Sequence, residues 1–75
     1  MSIDLNTAVA RAAQLPPRQR AVLVCLGRGL LIKETAAQLR MAENTVRATR
    51  AVLYRKLGVA NATEAVRVAC GAKLV

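Results

Sequence analysis

Apolar positions recur along this chain with helical spacing and nowhere with the two-residue alternation of a strand. Over residues 4 to 14, Leu5, Val9, Ala12 and Ala13 fall on one stripe, and Asp4 stands where a capping side chain is wanted. The pair Pro16 and Pro17 ends that pattern, and Pro17 suits the first position of a second helix running to about Arg28. There Val22, Leu23, Cys25 and Leu26 point inward and Arg18, Arg20 and Arg28 outward, until Gly27 and Gly29 stop the helix. A short third helix is predicted from about Lys33 to Leu39, with Ala36, Ala37 and Leu39 packed and Lys33 and Glu34 facing water. After a turn at Arg40 to Ala42 a fourth helix runs to about Leu57, and Gly58 is its natural stop. The fifth begins at Asn61, with Glu64 three residues later as in a capping box, and continues through Ala65, Val66, Ala69 and Cys70. The expected fold class is all-α, five short helices in a single compact domain.

The fourth helix differs from the rest, because the stretch MAENTVRATR from 41 to 50, which leads into it and forms its front half, holds only one large aliphatic residue, Val46. On a helical wheel Val46, Thr49, Leu53 and Leu57 form an inward seam. Asn44, Arg47, Ala48, Ala51 and Arg55 lie opposite, with Arg50 and Tyr54 at the border. The outward face is basic, small and hydrogen-bonding, which suits close approach to a surface rich in acceptors. A short helix, a tight turn and then this helix make a helix-turn-helix. A merely solvated face of a packing helix would explain Arg47, Arg50 and Arg55 as well.

Composition sharpens that picture. A chain of 75 residues buries only about 60% of its unfolded surface, so a partner subunit is a natural source of further stability. The single aromatic residue, Tyr54, is expected to pack half-buried with its hydroxyl wet, since one tyrosine is no stacking platform for bases. Twelve Lys and Arg face four Asp and Glu, a net charge of +8, and nine of the twelve are Arg, whose planar fork matches phosphates and guanine edges. That balance points to nucleic acid. With no His, no CxxC and no arranged nucleophile and base, the expectation is a non-enzyme without metal or cofactor. Cys25 and Cys70 lie on apolar helical faces and fit a reducing cytosol. No basic leader or long apolar run is present, the longest being AVLVCLG, so a cytoplasmic protein off the membrane is expected.

The run from Leu15 to Ala69 resembles the DNA-binding domain of LuxR-type (GerE-type) transcription regulators. The agreeing elements are VL at 22 and 23, GL at 29 and 30, KE at 33 and 34, TV at 45 and 46, YRKLGV at 54 to 59 and TEAV at 63 to 66. The resemblance implies a tetrahelical helix-turn-helix domain over 15–75, preceded by an N-terminal helical extension over 1–14. It implies base contacts from Arg47, Ala48 and Ala51, with Asn44 beside them. It implies phosphate contacts from Lys33, Thr45 and Lys56, to which the basic face adds Arg50 and Arg55. Arg47 suits a bidentate bond to guanine, whereas the two alanines offer only methyl contact, for instance with thymine, so specificity rests on few side chains and in part on DNA shape. The last helix of the family often pairs two subunits, which makes Val66, Ala69, Cys70 and Leu74 the expected homodimer interface, with the helix over 4 to 14 as the alternative.

The sequence departs from the family pattern in places with physical consequences. Where Thr and two Ser precede the three helices of the core motif, this chain has Pro16, Leu31 and Ala42, so three side-chain caps worth about 0.5–2 kcal/mol each are expected to be absent. Two glutamates of the scaffold helix are replaced by Gln19 and Ala21, and Leu30, Leu31 and Ile32 form an apolar step. Fourteen residues before the motif are too few for a receiver or ligand-binding domain, so the expectation is a small stand-alone regulator. The leading function is a DNA-binding transcription regulator, a repressor or autoregulator. The alternative is an antagonist that pairs with a LuxR-type regulator or another protein partner.

Overall fold

A computed structural model describes residues 4–75 and contains five helices: α1 (Leu5–Ala12), α2 (Pro17–Gly27), α3 (Ile32–Leu39), α4 (Glu43–Leu57) and α5 (Ala62–Gly71). Among the described residues there is no strand. The helix starts follow the local chemistry. Asp4 Oδ1 accepts from the Thr7 backbone N–H at 3.2 Å and its other oxygen from the Thr7 hydroxyl at 2.8 Å. Asn61 Oδ1 accepts from the Glu64 N–H at 3.0 Å, while the Glu64 carboxylate accepts from the Ala60 N–H at 2.7 Å.

The three starts expected to lack a side-chain cap do lack one. Pro16, Leu31 and Ala42 precede α2, α3 and α4, and none offers an acceptor. At α3 half of a capping box survives, because the Glu34 carboxylate accepts from the Leu31 N–H at 2.7 Å. Pro17 at the head of α2 has no N–H to satisfy, which lessens the loss there.

Four of the five helices end alike. After α2, α3, α4 and α5 the chain passes through one left-handed residue, at Gly29, Arg40, Gly58 and Lys73. The next N–H then reaches back five residues: Leu30 to Cys25, Met41 to Ala36, Val59 to Tyr54 and Leu74 to Ala69, all at 2.9–3.0 Å. This closure reverses the chain within a few residues and uses carbonyls that the helix leaves open. Glycine adopts the conformation freely; Arg40 and Lys73 do so at a cost of about 1 kcal/mol each. The end of α1 is closed instead by Arg20, whose Nη2 donates to the Ala13 carbonyl at 2.7 Å.

The core contains no aromatic ring. Leu23, Leu53, Leu57, Val22, Val46, Val68 and Cys25 are fully buried, with alanines at the crossings. Helix α2 packs tightly on α5 and the chain end, where a Cβ on Gly27 would lie 3.0 Å from Ala69 Cβ and 2.9 Å from Val75 Cγ1. The extension α1 lies against α5 and α4 and adds Ala8 and Ala12 to the same core. Two expected inward alanines, Ala13 and Ala37, are exposed, and Ala8 and Thr35 are buried instead. The buried stripes of α1 and α3 are Leu5, Ala8, Val9, Ala12 and Ile32, Thr35, Ala36, Leu39, both with the i, i+3, i+4, i+7 spacing. Next to a second alanine, or with a threonine in the stripe, apolarity alone does not pick the right register.

Candidate nucleic-acid interface

The element that presents the candidate residues is α3, the turn Arg40–Ala42 and α4. Val46, Leu53 and Leu57 fix α4 from beneath, being 0–2% exposed, with Thr49 half-buried beside them. That seam turns Asn44, Arg47, Ala48, Ala51 and Arg55 to solvent, and all five are exposed. The wheel reading and the fold agree on this face. A helix about 10–12 Å across, with alanines at its crest, matches a major groove about 12 Å wide.

Arg47 is folded along its own helix, with Nη1 donating to Asn44 Oδ1 at 3.2 Å and Nη2 lying 3.9 Å from Glu43 Oε1. Both side chains of the ion pair are more than half exposed, so solvent screens it and little energy opposes release of the guanidinium. Arg50 is held more firmly. Its Nη2 and Nε donate to the Tyr54 hydroxyl at 2.8 and 3.3 Å, and its guanidinium carbon lies 5.8 Å from the ring centroid. Tyr54 is half-buried and its hydroxyl accepts both bonds, which fixes the direction of the Arg50 side chain.

The basic residues flank α4 on two sides. With steps of about 100° per residue, Arg50 and Lys56 fall on opposite flanks of the outward face. Arg50 shares a hollow with Ile32, at the start of α3, near which Lys33 is exposed. Lys56 shares another with Arg11 and Gln14 of the α1 end. Arg11 was not foreseen as part of this surface, since α1 lies outside the helix-turn-helix; its place in the last turn of α1 was the available signal. Thr45 and Arg55 are exposed on the same helix.

The charge on this surface is nearly uncompensated. All four carboxylates stand at helix starts: Asp4 caps α1, and Glu34, Glu43 and Glu64 lie in the first turns of α3, α4 and α5. There they favour the positive helix end. Among the described residues the one ion pair is Arg47 with Glu43, so the other cations of this surface have no carboxylate within ion-pair distance.

The profile described as "Bacterial regulatory proteins, luxR family" matches residues 13–69. The chain belongs to the LuxR family. Within that family the chain is 40% identical over 65 residues to the transcriptional regulatory protein UhpA of Escherichia coli K12, covering 87% of the chain and 33% of UhpA. It is 39% identical over 51 residues to the probable HTH-type transcriptional regulator GfsR of Streptomyces halstedii, covering 68% of the chain and 21% of GfsR. The response regulator RamR of Streptomyces coelicolor is 35% identical over 66 residues, 85% of the chain and 33% of RamR. The chain thus spans about a third or less of the length of the curated relatives it matches. No solved structure matches it significantly. The LuxR-family match extends from before α2 into α5, so α3, the turn and α4 are the helix-turn-helix of the family and α1 lies ahead of it.

The expected pairing residues are placed unequally. Ala69 is fully buried against α2 within the protomer, and Leu74 is half-buried on the core. Val66 is half-buried, whereas Cys70 and Val75 are exposed, Val75 at 47%. Cys25 is buried and Cys70 is not, although both were read as small apolar residues. Among the described residues no helix is long and apolar enough to cross a membrane, and no cluster of ligating side chains suits a metal.

Proposed function

We propose that the chain binds duplex DNA sequence-specifically as a homodimer in the cytoplasm, with α4 in the major groove, and represses transcription by occluding its site. The observation that carries this reading is the outward face of α4: Asn44, Arg47, Ala48 and Ala51 exposed together, on a family-matched helix, between two basic flanks. Arg47 leaves Asn44 and Glu43 to read a guanine, and Asn44, once released, reads the neighbouring pair. Ala48 and Ala51 admit the helix deeply and touch thymine methyl groups. Lys33, Thr45, Arg50, Arg55 and Lys56 hold the phosphates on either side. Two copies meet through the outer side of α5 at Val66 and Cys70, extended to Leu74 and Val75, and bind half-sites about one helical turn apart.

Selection of bound sequences from random duplex DNA at two salt concentrations tests the reading. A palindromic motif with steep salt dependence is expected. Changing Arg47 to Ala costs about 1–3 kcal/mol at one base pair and relaxes choice there, whereas Lys56→Ala weakens all sequences alike. Equal loss of Arg47→Ala on specific and random DNA would sink base readout.

One observation favours a second reading, that of an antagonist acting through protein contacts. Leu31 is 60% exposed at the start of α3, where a DNA-facing helix terminus is better served by a polar residue. A stoichiometric protein partner lost in Leu31→Ser, together with no salt-sensitive DNA binding, is the result that reading requires.

A further inference from the structure

Two hollows lie away from α4. Two adjoining depressions of about 510 and 420 Å³ share Pro17, Ala21 and Leu39 and form one groove between α2 and the end of α3. Their size is that of ordinary ligand clefts. The floor is apolar, with Met41 at one end, and the rim carries Arg18 and Arg20, the latter with one guanidinium nitrogen already on the Ala13 carbonyl and its charge unpaired. No residue lining it is acidic, and neither arginine has a carboxylate within ion-pair distance. Ala21 stands where the family pattern that the sequence resembles has a scaffold-helix glutamate. A carboxylate there would put charge on the floor and neutralise the rim.

The geometry points to a docking site for an amphipathic helix of another protein, with apolar residues seated on Pro17, Ala21, Leu39 and Met41 and acidic residues meeting Arg18 and Arg20. Charge complementarity selects that occupant. A second copy of the chain carries +8 and only four carboxylates, every one placed at a helix start, so it meets an arginine rim with repulsion. A nucleic acid has no use for an apolar floor. Helix-in-groove recognition supplies both parts, anchors at i, i+4 and i+7 and charges beside them. The lining residues are not on the outward face of α4, so docking here leaves that face free.

The test is a helix-forming peptide of about four turns, with leucines at i, i+4 and i+7 and flanking glutamates, titrated into the full chain. Fluorescence anisotropy and amide shifts are read. Saturable binding with shifts at residues 15–25 and 38–41 is expected. It weakens at least about tenfold in Ala21→Glu and severalfold in Arg18→Glu. The peptide with lysines for glutamates binds at least about tenfold more weakly. Circular dichroism checks folding; should Ala21→Glu lose helix, the exposed Arg18→Glu and the lysine peptide decide. Absence of binding, equal binding of the lysine peptide, or shifts centred on α4 overturn the proposal, the last marking mere attraction of an anion to a basic face. Shifts centred on Val66 to Val75 overturn it in favour of the face between copies.

Discussion

The starts of α4 and α5 are built on opposite principles. At α5 the local chain is sufficient: Asn61 takes one open N–H and Glu64 returns the favour at Ala60. At α4 Ala42 takes none, and the first turns are held by what lies below them, Val46 at 0% exposure. The helix that meets solvent with its specific face is therefore the one whose beginning depends on tertiary packing. Local capping and exposure to a ligand compete for the same N–H groups, and α4 leaves them open, as an anion-binding helix terminus does.

The largest way to break the comparison is to remove the packing that α4 relies on. Val46→Ala loses two buried methyl groups and is expected to cost roughly 2 kcal/mol, read by urea unfolding. Amide exchange should quicken over residues 43–47 and not over 62–66, and equal quickening would show that the two starts are equally supported. Next, Asn61→Ala removes the cap of α5 and makes it resemble α4, at a cost of about 0.5–2 kcal/mol. Thermal unfolding of that variant with no measurable change would mean that α5 too is held from below. In the other direction, Ala42→Ser gives α4 the missing cap. A gain of about 0.5–1 kcal/mol is expected, with the hydroxyl competing for N–H groups that a phosphate would otherwise meet.

The smallest effect comes from acidity at α1, a third start capped like α5. Hydrogen bonds from the Thr7 hydroxyl and then the Thr7 backbone N–H hold the Asp4 carboxyl below its ordinary value. The ionised form is the one favoured by folding, so its contribution is complete above the unfolded carboxylate range. It is lost as pH falls below about 4 and through the lowered folded value. Fraying of residues 5–8 followed by NMR should set in over that interval in the native chain and become flat in Asp4→Asn. A transition that persists in Asp4→Asn would assign the acid effect elsewhere.

Much of this was legible in the sequence, for identifiable reasons. Pro16, Pro17, Gly58, Asn61 and Asp4 each impose a backbone conformation or a local bond, and the helix limits follow within one or two residues. The outward face of α4 was legible because Val46, Leu53 and Leu57 share one stripe, with Val52 the one other large aliphatic residue of the helix. Alanine-rich stripes were not, since Ala12 with Ala13 and Ala36 with Ala37 are equally apolar and only packing separates them. The groove beside Ala21 was hidden as well: it arises where a side chain is short, and depends on how α3 ends against α2. The tether between Arg50 and Tyr54 needs rotamers, which spacing alone does not fix.

The placement of the four carboxylates has a consequence for how the protein responds to its surroundings. Acids spent on helix starts are not arranged against the arginines, and the chain has no imidazole to change charge between about pH 5 and 8. The positive charge of its side chains is therefore nearly constant across the neutral range, and the ion atmosphere of the solution, rather than its acidity, tunes how far that charge is felt.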